Sequence, residues 1–214
     1  MKILQITSCF YPAWAYGGPV TAVYYITTEL ARRGHEVVVF TTDSIDKKTR
    51  CDSNFLELDG VEIYYFKNIS NSLAWNHRIF LAPGMIFQLR KKIENFDIIH
   101  LQDYRTFQNI VAHYYAKNSN VPYVLQAHGS VITFFQKAKL KKIFDALWGF
   151  KILEDASKLI ALNSFEAEQY KEMGIPMEKI EVIPNPINLS VFENLPKRGE
   201  FKKIYNVDSE YKII

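Results

Sequence analysis

Residues 2–20, KILQITSCFYPAWAYGGPV, contain a short apolar run followed by a loop with two adjacent glycines. The run at 2–8 is rich in aliphatic and β-branched residues, which predicts a buried strand. Beyond the glycines, apolar residues recur at the spacing of an amphipathic helix that is expected to stop at Gly34. Gly17 and Gly18 therefore lie where the first strand passes into the first helix.

This glycine pair has two interpretations. At a helix N-terminus, glycine lets a ligand approach free backbone N–H groups, and the helix dipole favours a phosphate or another anion. Alternatively, the pair forms a tight turn that needs a positive φ angle. The pattern is not GxGxxG, because Ala22 or Val23 takes the place of the third glycine, and it is not a GxxxxGK[ST] phosphate loop.

Strands and helices alternate along most of the remaining chain. This order predicts parallel pairing with right-handed crossovers, and hence a doubly wound, mostly parallel, Rossmann-like α/β sheet with helices on both faces. The polar stretch 43–59 is predicted to loop out. The predicted strands are 36–42, 61–66, 97–101, 122–127, 158–162 and 180–183, and the further helices are 83–94, 106–117, 140–148 and 164–172.

The helix predicted at 140–148 has an apolar stripe that we expect to be buried. Its lysines, with nearby aromatic residues, could seat a membrane surface, although a solvated face of an amphipathic helix is the favoured interpretation. The stripe consists of Leu140, Ile143, Phe144, Leu147 and Trp148; the lysines are Lys137, Lys139, Lys141 and Lys142, beside Phe134 and Phe135.

Length and composition limit the class of protein. With 214 residues, 48% hydrophobic and 23% charged, the chain has material for one core, or for one domain and part of another. The net charge of +3 is too small to argue for a nucleic-acid partner. No apolar run approaches the roughly 20 residues that span a bilayer, and the N-terminus does not resemble a signal peptide. We therefore expect a cytoplasmic protein, either free or peripheral at the inner face of the membrane.

Neither cysteines nor histidines indicate a metal site. Cys9 and Cys51 are the only cysteines and form no CxxC pair, so no disulfide framework or zinc site is predicted. His35 is expected in a turn, and His77 and His113 have no partner at metal-ligand spacing. The sequence predicts no bound metal.

Candidate site residues follow from the predicted topology. In an open parallel sheet, ligands bind beyond the carboxyl ends of the strands, where loops that are remote in sequence meet. These loops contribute Tyr16, Gly17 and Gly18; His100 and Asp103; His128, Gly129 and Ser130; and Asn163 and Ser164.

The titratable candidates each have a functional and a structural interpretation. His128, beside the flexible Gly129, could hydrogen-bond a ligand or be a satisfied structural histidine. His100 could belong to the same ligand site, but a structural hydrogen bond within the sheet edge is the favoured interpretation. Asp103 could bind hydroxyl groups or act as a general base, or it could cap the following helix.

The character of the sequence changes after Pro186, where the chain becomes charged and weakly periodic. We expect one domain over 1–186, and over 187–214 a connection that leads into a second domain. Residues 211–214 resemble the beginning of a strand that needs a further sheet. The chain is therefore expected to be part of a longer protein.

Together these segments resemble the N-terminal domain of group 1 glycosyltransferases, the large retaining family with the GT-B fold. The resemblance covers essentially the whole chain and depends on the order and spacing of its passages. The last passage is the most specific, because it is similar to the family's path into its C-terminal domain. The passages are 16–20 with 29–39, 97–101, 124–130, and 158–162 with 173–188.

The resemblance implies two Rossmann-like domains across a cleft, the N-terminal one holding mainly the acceptor and the C-terminal one most of the nucleotide-sugar. Gly17 and Gly18 would let N–H groups stabilise charge on the departing diphosphate. His128 matches the family histidine that contacts the transferred sugar, so it is the catalytic candidate. The remaining candidates for binding donor phosphate or acceptor are Tyr16, Asp103, Gly129, Ser130, Asn163 and Ser164.

The resemblance also indicates what the chain lacks. The family's glutamates, spaced Glu-x7-Glu, and its Arg/Lys pair belong to the C-terminal domain, and no two glutamates here are eight positions apart. We therefore predict that this chain alone does not transfer sugar. The implied co-substrate is a nucleotide-sugar, the acceptor is a glycan or a lipid-linked sugar of cell-surface polysaccharide assembly, and no cofactor is implied.

Two other functions stay open at this point. A nicotinamide-dependent oxidoreductase needs a complete glycine fingerprint and an acid at the end of the second strand. Asp43 lies near that end, but the fingerprint is broken. The other alternative is a non-catalytic binding module, since a fold alone does not determine function.

Overall fold

The computed structural model describes residues 1–132, 138–193, 195–208 and 210–212. The strands are β1 Lys2–Ile6, β2 Glu36–Thr42, β3 Phe55–Leu58, β4 Val61–Phe66, β5 Ile98–Gln102, β6 Tyr123–Gln126, β7 Lys158–Ala161 and β8 Ile180–Val182. The helices are α1 Gly18–Arg32, α2 Asn71–His77, α3 Gly84–Lys92, α4 Phe107–Asn118, α5 Ala138–Phe144, α6 Phe150–Asp155, α7 Ser164–Glu172 and α8 Glu200–Ile204.

The strands form one sheet in the order β3-β4-β2-β1-β5-β6-β7-β8. All neighbours are parallel except β3 and β4. On one face, α1 packs on β2 and β4 through a cluster that includes Val23, Val37 and Ile63. On the other face, α3, α4, α6 and α7 pack on the sheet through a larger cluster that includes Leu89 and Ile99. The predicted doubly wound α/β sheet is confirmed.

The polar stretch 43–59 is more than the predicted loop. β3 lies within it and pairs antiparallel with β4 at the edge of the sheet. Asp59 and Gly60 join the two strands with φ angles of 52° and 74°, as a two-residue hairpin turn requires. The side chains of β3 alternate: Leu56 and Leu58 are half-buried against the cluster of that face, whereas Phe55 and Glu57 are exposed. The loop prediction is therefore wrong for these residues.

Residues 138–155 form a continuous helical run whose orientation differs from the prediction. α5 passes into a π turn, Asp145–Gly149, and then into α6. Asp145 and Gly149 are the buried residues of that turn. The expected buried stripe faces outward instead: Leu140, Ile143, Leu147 and Trp148 are exposed and Phe144 is half-buried.

A buried ion pair decides which side of this run faces the core. Arg105 binds both carboxylate oxygens of Asp145, through Nε at 2.8 Å and Nη2 at 2.7 Å. Gly149 makes room for the neighbouring Tyr104, because a Cβ added there would lie 2.5 Å from Tyr104 Oη. The prediction of a buried stripe is wrong. It was based on the spacing of apolar residues, and that spacing gives no indication that a charged residue, Asp145, is buried through an ion pair. Phe134, Phe135 and Lys137, which were grouped with this helix, lie outside the described residues.

The chain beyond β8 is largely exposed. Its described part contains a 3-10 turn, Leu189–Phe192, and the short helix α8. The strand expected at 211–214 falls partly on Ile213 and Ile214, which lie outside the described residues, so it stays a prediction. Within the described ranges, no helix is long and apolar enough to cross a membrane.

Candidate functional site

The N-terminus of α1 lies at the carboxyl edge of the sheet. Gly17 precedes the helix with φ 98°, a left-handed value that favours glycine. Pro19 has no N–H, and Val20 donates to the Gly17 carbonyl at 3.1 Å. The Gly18 N–H has no hydrogen-bond partner among the described residues, and a Cβ added at Gly18 would meet none of their atoms within 4 Å. Glycine at position 17 is therefore explained by the backbone conformation of the turn. Glycine at position 18 instead leaves space for a ligand beside the free Gly18 N–H.

A cleft of about 400 Å³ opens beside this helix end. It brings the first loop of the sheet together with the loop after β6 and with the residues after β7 and β8, as expected of a carboxyl edge. Its lining residues are Gly18, Pro19, Thr21, Ala22, His128, Leu162, Asn185 and Pro186.

His128 is positioned in this cleft by a chain of buried amides. It follows β6 with φ 50°, and its Nε2 lies 2.7 Å from Gln102 Oε1. Gln102 in turn donates through Nε2 to Gln5 Oε1 at 2.8 Å. Because the Gln102 amide nitrogen is used for Gln5, its oxygen accepts from His128. The hydrogen-bond pattern therefore assigns the proton of the neutral imidazole to Nε2.

The protonation state of His128 follows from its burial, which lowers its pKa to about 4. The imidazole is therefore neutral at neutral pH, and Nδ1 carries a lone pair. That atom is buried and has no hydrogen-bond partner among the described residues. Chemically, His128 can accept a hydrogen bond from a ligand hydroxyl while Gln102 holds the other side of the ring.

The backbone after His128 is anchored from two sides. Buried Glu166 accepts the Gly129 N–H at 2.6 Å through Oε1 and the Leu162 N–H at 2.7 Å through Oε2. Arg105, besides binding Asp145, donates to the Ser130 carbonyl at 2.6 Å. The loop that carries His128 is thus bound to both α7 and the π turn.

Asn163 and Ser164 lie at the start of α7, where both are exposed. Asn163 caps the helix by accepting the Glu166 N–H at 2.9 Å. Ser130 turns its hydroxyl to the Ala127 carbonyl at 2.6 Å. None of these three lines the cleft.

Asp103 follows β5 with φ 62°, outside the lining of the cleft. Burial raises the pKa of its carboxyl to about 6, and the Arg78 guanidinium opposes this shift. Asp103 is not the cap of α4, because Thr106 accepts the Asn109 N–H at 3.1 Å. A carboxyl that titrates near neutral pH retains the chemistry of a general base.

Tyr16 and His100 are buried near the site without lining it. Tyr16 is hydrogen-bonded to Ser44, with 2.8 Å between Oη and Oγ, and the Arg78 guanidinium lies 5.1 Å from its ring centroid. His100 lies in β5 opposite Gln5 of β1. Burial, and then the neighbouring His128, lower the pKa of His100 to about 3.

Gln102 and Glu166 were not predicted as site residues, although each leaves a trace in the sequence. Gln102 is a polar residue at the end of a buried strand, on the same side of the strand as His100. Glu166 stands three residues after Asn163, the spacing of a capping box. Its carboxylate instead reaches the neighbouring loop, a contact that only the folded chain creates.

Asp43, the acid considered for a nicotinamide site, is engaged elsewhere. Its Oδ1 accepts from Arg50 Nη1 at 2.7 Å and from the Asn68 N–H at 2.8 Å. This network, together with the broken glycine fingerprint, does not favour ribose binding. In the part of the chain that the structure describes, no three His, Cys, Asp or Glu residues could hold a metal ion.

The parallel sheet and the cleft at its carboxyl edge define a Rossmann-like domain, and solved structures share its fold. HepE from Anabaena, solved with UDP-glucose, is 17% identical with a TM-score of 0.64 over 96% of this chain and 50% of that chain. Sucrose-phosphate synthase from Thermosynechococcus elongatus is 15% identical with a TM-score of 0.65, over 98% and 53% of the two chains. The catalytic domain of starch synthase IV from Arabidopsis thaliana, bound to ADP and acarbose, is 12% identical with a TM-score of 0.58, over 92% and 54%.

These likenesses show the fold, and the chain spans about half the length of each of these structures. Residues 16–191 match the model of Glycosyltransferase Family 4, and the chain belongs to this family. The predicted resemblance to glycosyltransferases of the GT-B fold is thereby confirmed. No curated protein matches the chain.

Proposed function

We propose that this chain is the acceptor-side half of a retaining glycosyltransferase that transfers a sugar from a nucleotide-sugar to a glycan or lipid-linked acceptor. The observation that carries the proposal is the cleft that Gly18, whose N–H is free, and His128, whose imidazole is neutral, both line. Family membership and the UDP-glucose in the similar HepE structure support a nucleotide-sugar as donor.

The N-terminus of α1 is proposed to stabilise the donor diphosphate. The Gly18 N–H is available, and the helix dipole places partial positive charge at the same point. The diphosphate gains negative charge as the sugar departs, so a preorganised donor binds the transition state more tightly than the ground state. The side chain of Gly18 must stay small, since a Cβ there would enter the space that the phosphate needs.

His128 is proposed to hold the transferred sugar at its reacting end. Its Nδ1 would accept a hydrogen bond from a sugar hydroxyl, with Nε2 fixed by Gln102. A neutral ring suits this task, because the depressed pKa keeps the lone pair available at neutral pH. Asp103, with its pKa raised to about 6, is a candidate to bind acceptor hydroxyls after β5, outside the lining of the cleft.

The proposed division of the chain is a domain at 1–186 and a connection at 187–214 that leads into the donor-binding domain of the whole protein. The glutamate pair and the Arg/Lys pair of the family would be supplied there. On this basis residues 1–214 are expected to bind an acceptor, and a nucleotide weakly, without catalysing transfer.

Turnover by the full-length parent protein tests the proposal. Release of nucleoside diphosphate is measured with UDP-, GDP- and ADP-sugars and a glycan or lipid-linked acceptor. H128A is expected to lower kcat by roughly 10²-fold or more, because a contact at the reacting centre is lost. H77A, which removes an exposed histidine of α2, is the matched control and should keep the parent rate.

Equal rates in H128A and the parent would contradict the role of His128 while leaving the class of enzyme intact. Protection of the parent by a nucleotide-sugar without turnover on any acceptor would favour the alternative of a non-catalytic binding module.

A further inference from the structure

Two exposed side chains, Arg78 and Trp75, are supported by one buried ring at the carboxyl edge of the sheet. Tyr16 is 5% exposed, and Ser44 fixes its hydroxyl. The Arg78 guanidinium lies over the Tyr16 ring, 5.1 Å from its centroid. The Trp75 ring contacts the same tyrosine in a T-shaped arrangement, with 5.5 Å between centroids. A cation and an aromatic ring are therefore placed side by side on the surface.

The support beneath Arg78 belongs to the packed interior. Arg78 directly follows α2, and its N–H donates to the Ala74 carbonyl at 3.0 Å. A buried cluster packs α2 against the first turn of α1 and the segment before it. The cluster consists of Ala13, Tyr16, Val20, Ala74 and Phe80. The position of Arg78 relative to the N-terminus of α1 is therefore fixed by core packing.

The guanidinium of Arg78 retains its hydrogen-bonding capacity. Within the part of the chain that the structure describes, it makes the contact with the Tyr16 ring but no hydrogen bond and no ion pair. Arg105, in contrast, uses its guanidinium for Asp145 and two backbone carbonyls. A guanidinium has five N–H donors in a planar fork that matches a carboxylate or a phosphate. Arg78 is therefore available to bind an anionic group.

The backbone of Arg78 points to a role for its side chain. Its φ and ψ angles of 56° and 34° are left-handed, and at a helix C-terminus this conformation is usually adopted by glycine or asparagine. Arginine is strained there, whereas glycine would end α2 without strain. The turn itself therefore gives no reason for arginine at this position.

Asp103 adds a hydrogen-bond acceptor near this cation. Burial raises the pKa of the Asp103 carboxyl and of the Cys9 thiol, and the Arg78 guanidinium opposes both shifts. The three groups thus lie within electrostatic range of one another. In the described chain Arg78 and Asp103 do not form an ion pair, and the Asp103 carboxylate accepts no hydrogen bond. A ligand that has both an anionic group and hydroxyl groups would satisfy the two residues.

We propose that Arg78, Asp103 and Trp75 form a subsite for an acceptor sugar that carries a carboxylate or a phosphate. Arg78 binds the anionic group through charge-assisted hydrogen bonds. Asp103 accepts a hydrogen bond from a sugar hydroxyl. The exposed ring of Trp75 packs against the apolar C–H face of the pyranose, which combines apolar contact with little loss of side-chain freedom.

The subsite adjoins the cleft without lining it. Tyr16 is two residues before Gly18, so the Cα atoms of the two residues are at most about 7.6 Å apart. A sugar bound at Arg78 would therefore lie beside the proposed position of the donor diphosphate. The use of this subsite by the acceptor rests on the proposed function, whereas the binding of an anionic sugar does not.

The donor diphosphate is a second anion that Arg78 could bind. Asp103 argues against it, because a carboxylate repels a highly charged diphosphate. A sugar can instead present its anionic group to Arg78 and a hydroxyl to Asp103. The exposed ring of Trp75 also has no function toward a diphosphate.

Ligand-observed NMR with the 214-residue chain tests the proposal without donor or turnover. The probes are methyl glucuronide, glucose 6-phosphate and methyl glucoside, which carry a carboxylate, a phosphate and no charge. We expect the dissociation constant of at least one anionic sugar to be about tenfold or more below that of methyl glucoside, because a charge-assisted hydrogen bond is gained. The anionic sugar that binds more tightly identifies the kind of anion.

Variants assign the binding to individual residues. R78Q should raise the dissociation constant of the anionic sugar about tenfold and leave that of methyl glucoside unchanged. R90Q removes an exposed arginine of α3 and should bind as the unmodified chain does. W75A should weaken the binding of all three sugars by a similar factor, because the apolar contact does not depend on charge.

R78G separates ligand binding from stability. It should lose the preference for anionic sugars as R78Q does, while its thermal midpoint stays unchanged or rises, since glycine favours the left-handed conformation. A lower thermal midpoint in R78G together with unchanged sugar affinity would mean that Arg78 is structural, and would overturn the proposal.

Four further results would overturn the proposal. They are equal affinity for the three sugars or no binding of any, equal binding by R78Q and the unmodified chain, equal losses in R78Q and R90Q, and a loss of UDP affinity in R78Q as large as the loss for the anionic sugar. The last result would assign Arg78 to the donor. Because transfer is not measured, none of these results affects the glycosyltransferase proposal, and absence of turnover by the parent protein would leave the binding result unchanged.

Discussion

Gln102 connects the strand interior to the candidate site through one side chain. It is 1% exposed, it donates to Gln5, and it accepts from His128. A buried amide in this position fixes both the orientation and the tautomer of the imidazole, which solvent would otherwise leave free to exchange. The reactivity of His128 is therefore decided in part by a residue that does not line the cleft.

Replacement of Gln102 by leucine should destabilise the fold. The change leaves Gln5 Oε1 and His128 Nε2 buried without partners, which we expect to lower the free energy of unfolding by about 1–3 kcal/mol. Urea denaturation measures the change. Q88L, at a half-buried position on α3, serves as the control and should shift stability by no more than about 0.5 kcal/mol. Equal stability of Q102L and the unmodified chain would show that the amide chain does not support the fold.

Among the elements, the run from α5 to α6 shows how polar packing can override apolar periodicity. The π turn adds a residue to one turn and places Asp145 and Gly149 against Arg105 and Tyr104. π turns are rare and are often found at functional sites. Here Arg105 connects the turn to the loop after β6, because it binds both Asp145 and the Ser130 carbonyl.

Alanine at Gly149 should disturb this turn. Its Cβ would lie 2.5 Å from Tyr104 Oη and 2.7 Å from Asp145 Oδ1, so we expect a loss of about 1–3 kcal/mol in the free energy of unfolding from overpacking. Thermal and urea denaturation test this expectation. In the control G84A, the added Cβ meets Phe66 at an ordinary 3.7 Å, and stability should be unchanged or slightly raised. A loss in G84A as large as that in G149A would refute the steric explanation.

At the scale of the whole molecule, buried titratable groups couple the site to the stability of the sheet. His100 and His128 have pKa values of about 3 and about 4, well below the usual value of 6.5, because both are buried. Asp103 has a pKa of about 6, above its usual 3.8, for the same reason. All three lie at or near the carboxyl edge around the cleft.

These shifts predict that the fold loses stability between pH 7 and pH 5. In that range the unfolded chain binds protons at both histidines and the folded chain does not. The free energy of unfolding therefore decreases as the pH is lowered. Asp103 partly offsets the loss, because below about pH 6 the folded state takes up its proton. We expect a net loss on the order of 2 kcal/mol, measured by urea denaturation at the two pH values.

Histidine variants identify the groups responsible for this pH dependence. H100Q should show a smaller difference in stability between pH 7 and pH 5, because one of the buried bases is gone. The same pH dependence in H100Q as in the unmodified chain would refute the assignment to buried histidines.

The sequence predicted the fold more completely than it predicted the candidate site. The order of strands and helices predicted the parallel sheet, and the topology of such a sheet places the loops of Gly18 and His128 at one edge. β3 was missed because its four residues form too short a run to stand out within a polar stretch. Gln102 and Glu166 were missed because their partners are distant in sequence, 97 residues for Gln102 with Gln5 and 37 for Glu166 with Gly129.

The sequence by itself determined the alternating elements, the fold class and the glycosyltransferase family, because periodicity, turn residues and motif order are local properties of a chain. Only the tertiary structure decided which side of residues 138–155 is buried, which nitrogen of His128 is protonated, and that Thr106 rather than Asp103 caps α4. The physical reason is the same in each case. Buried charges and amides must find partners, and those partners become neighbours only when the chain has folded.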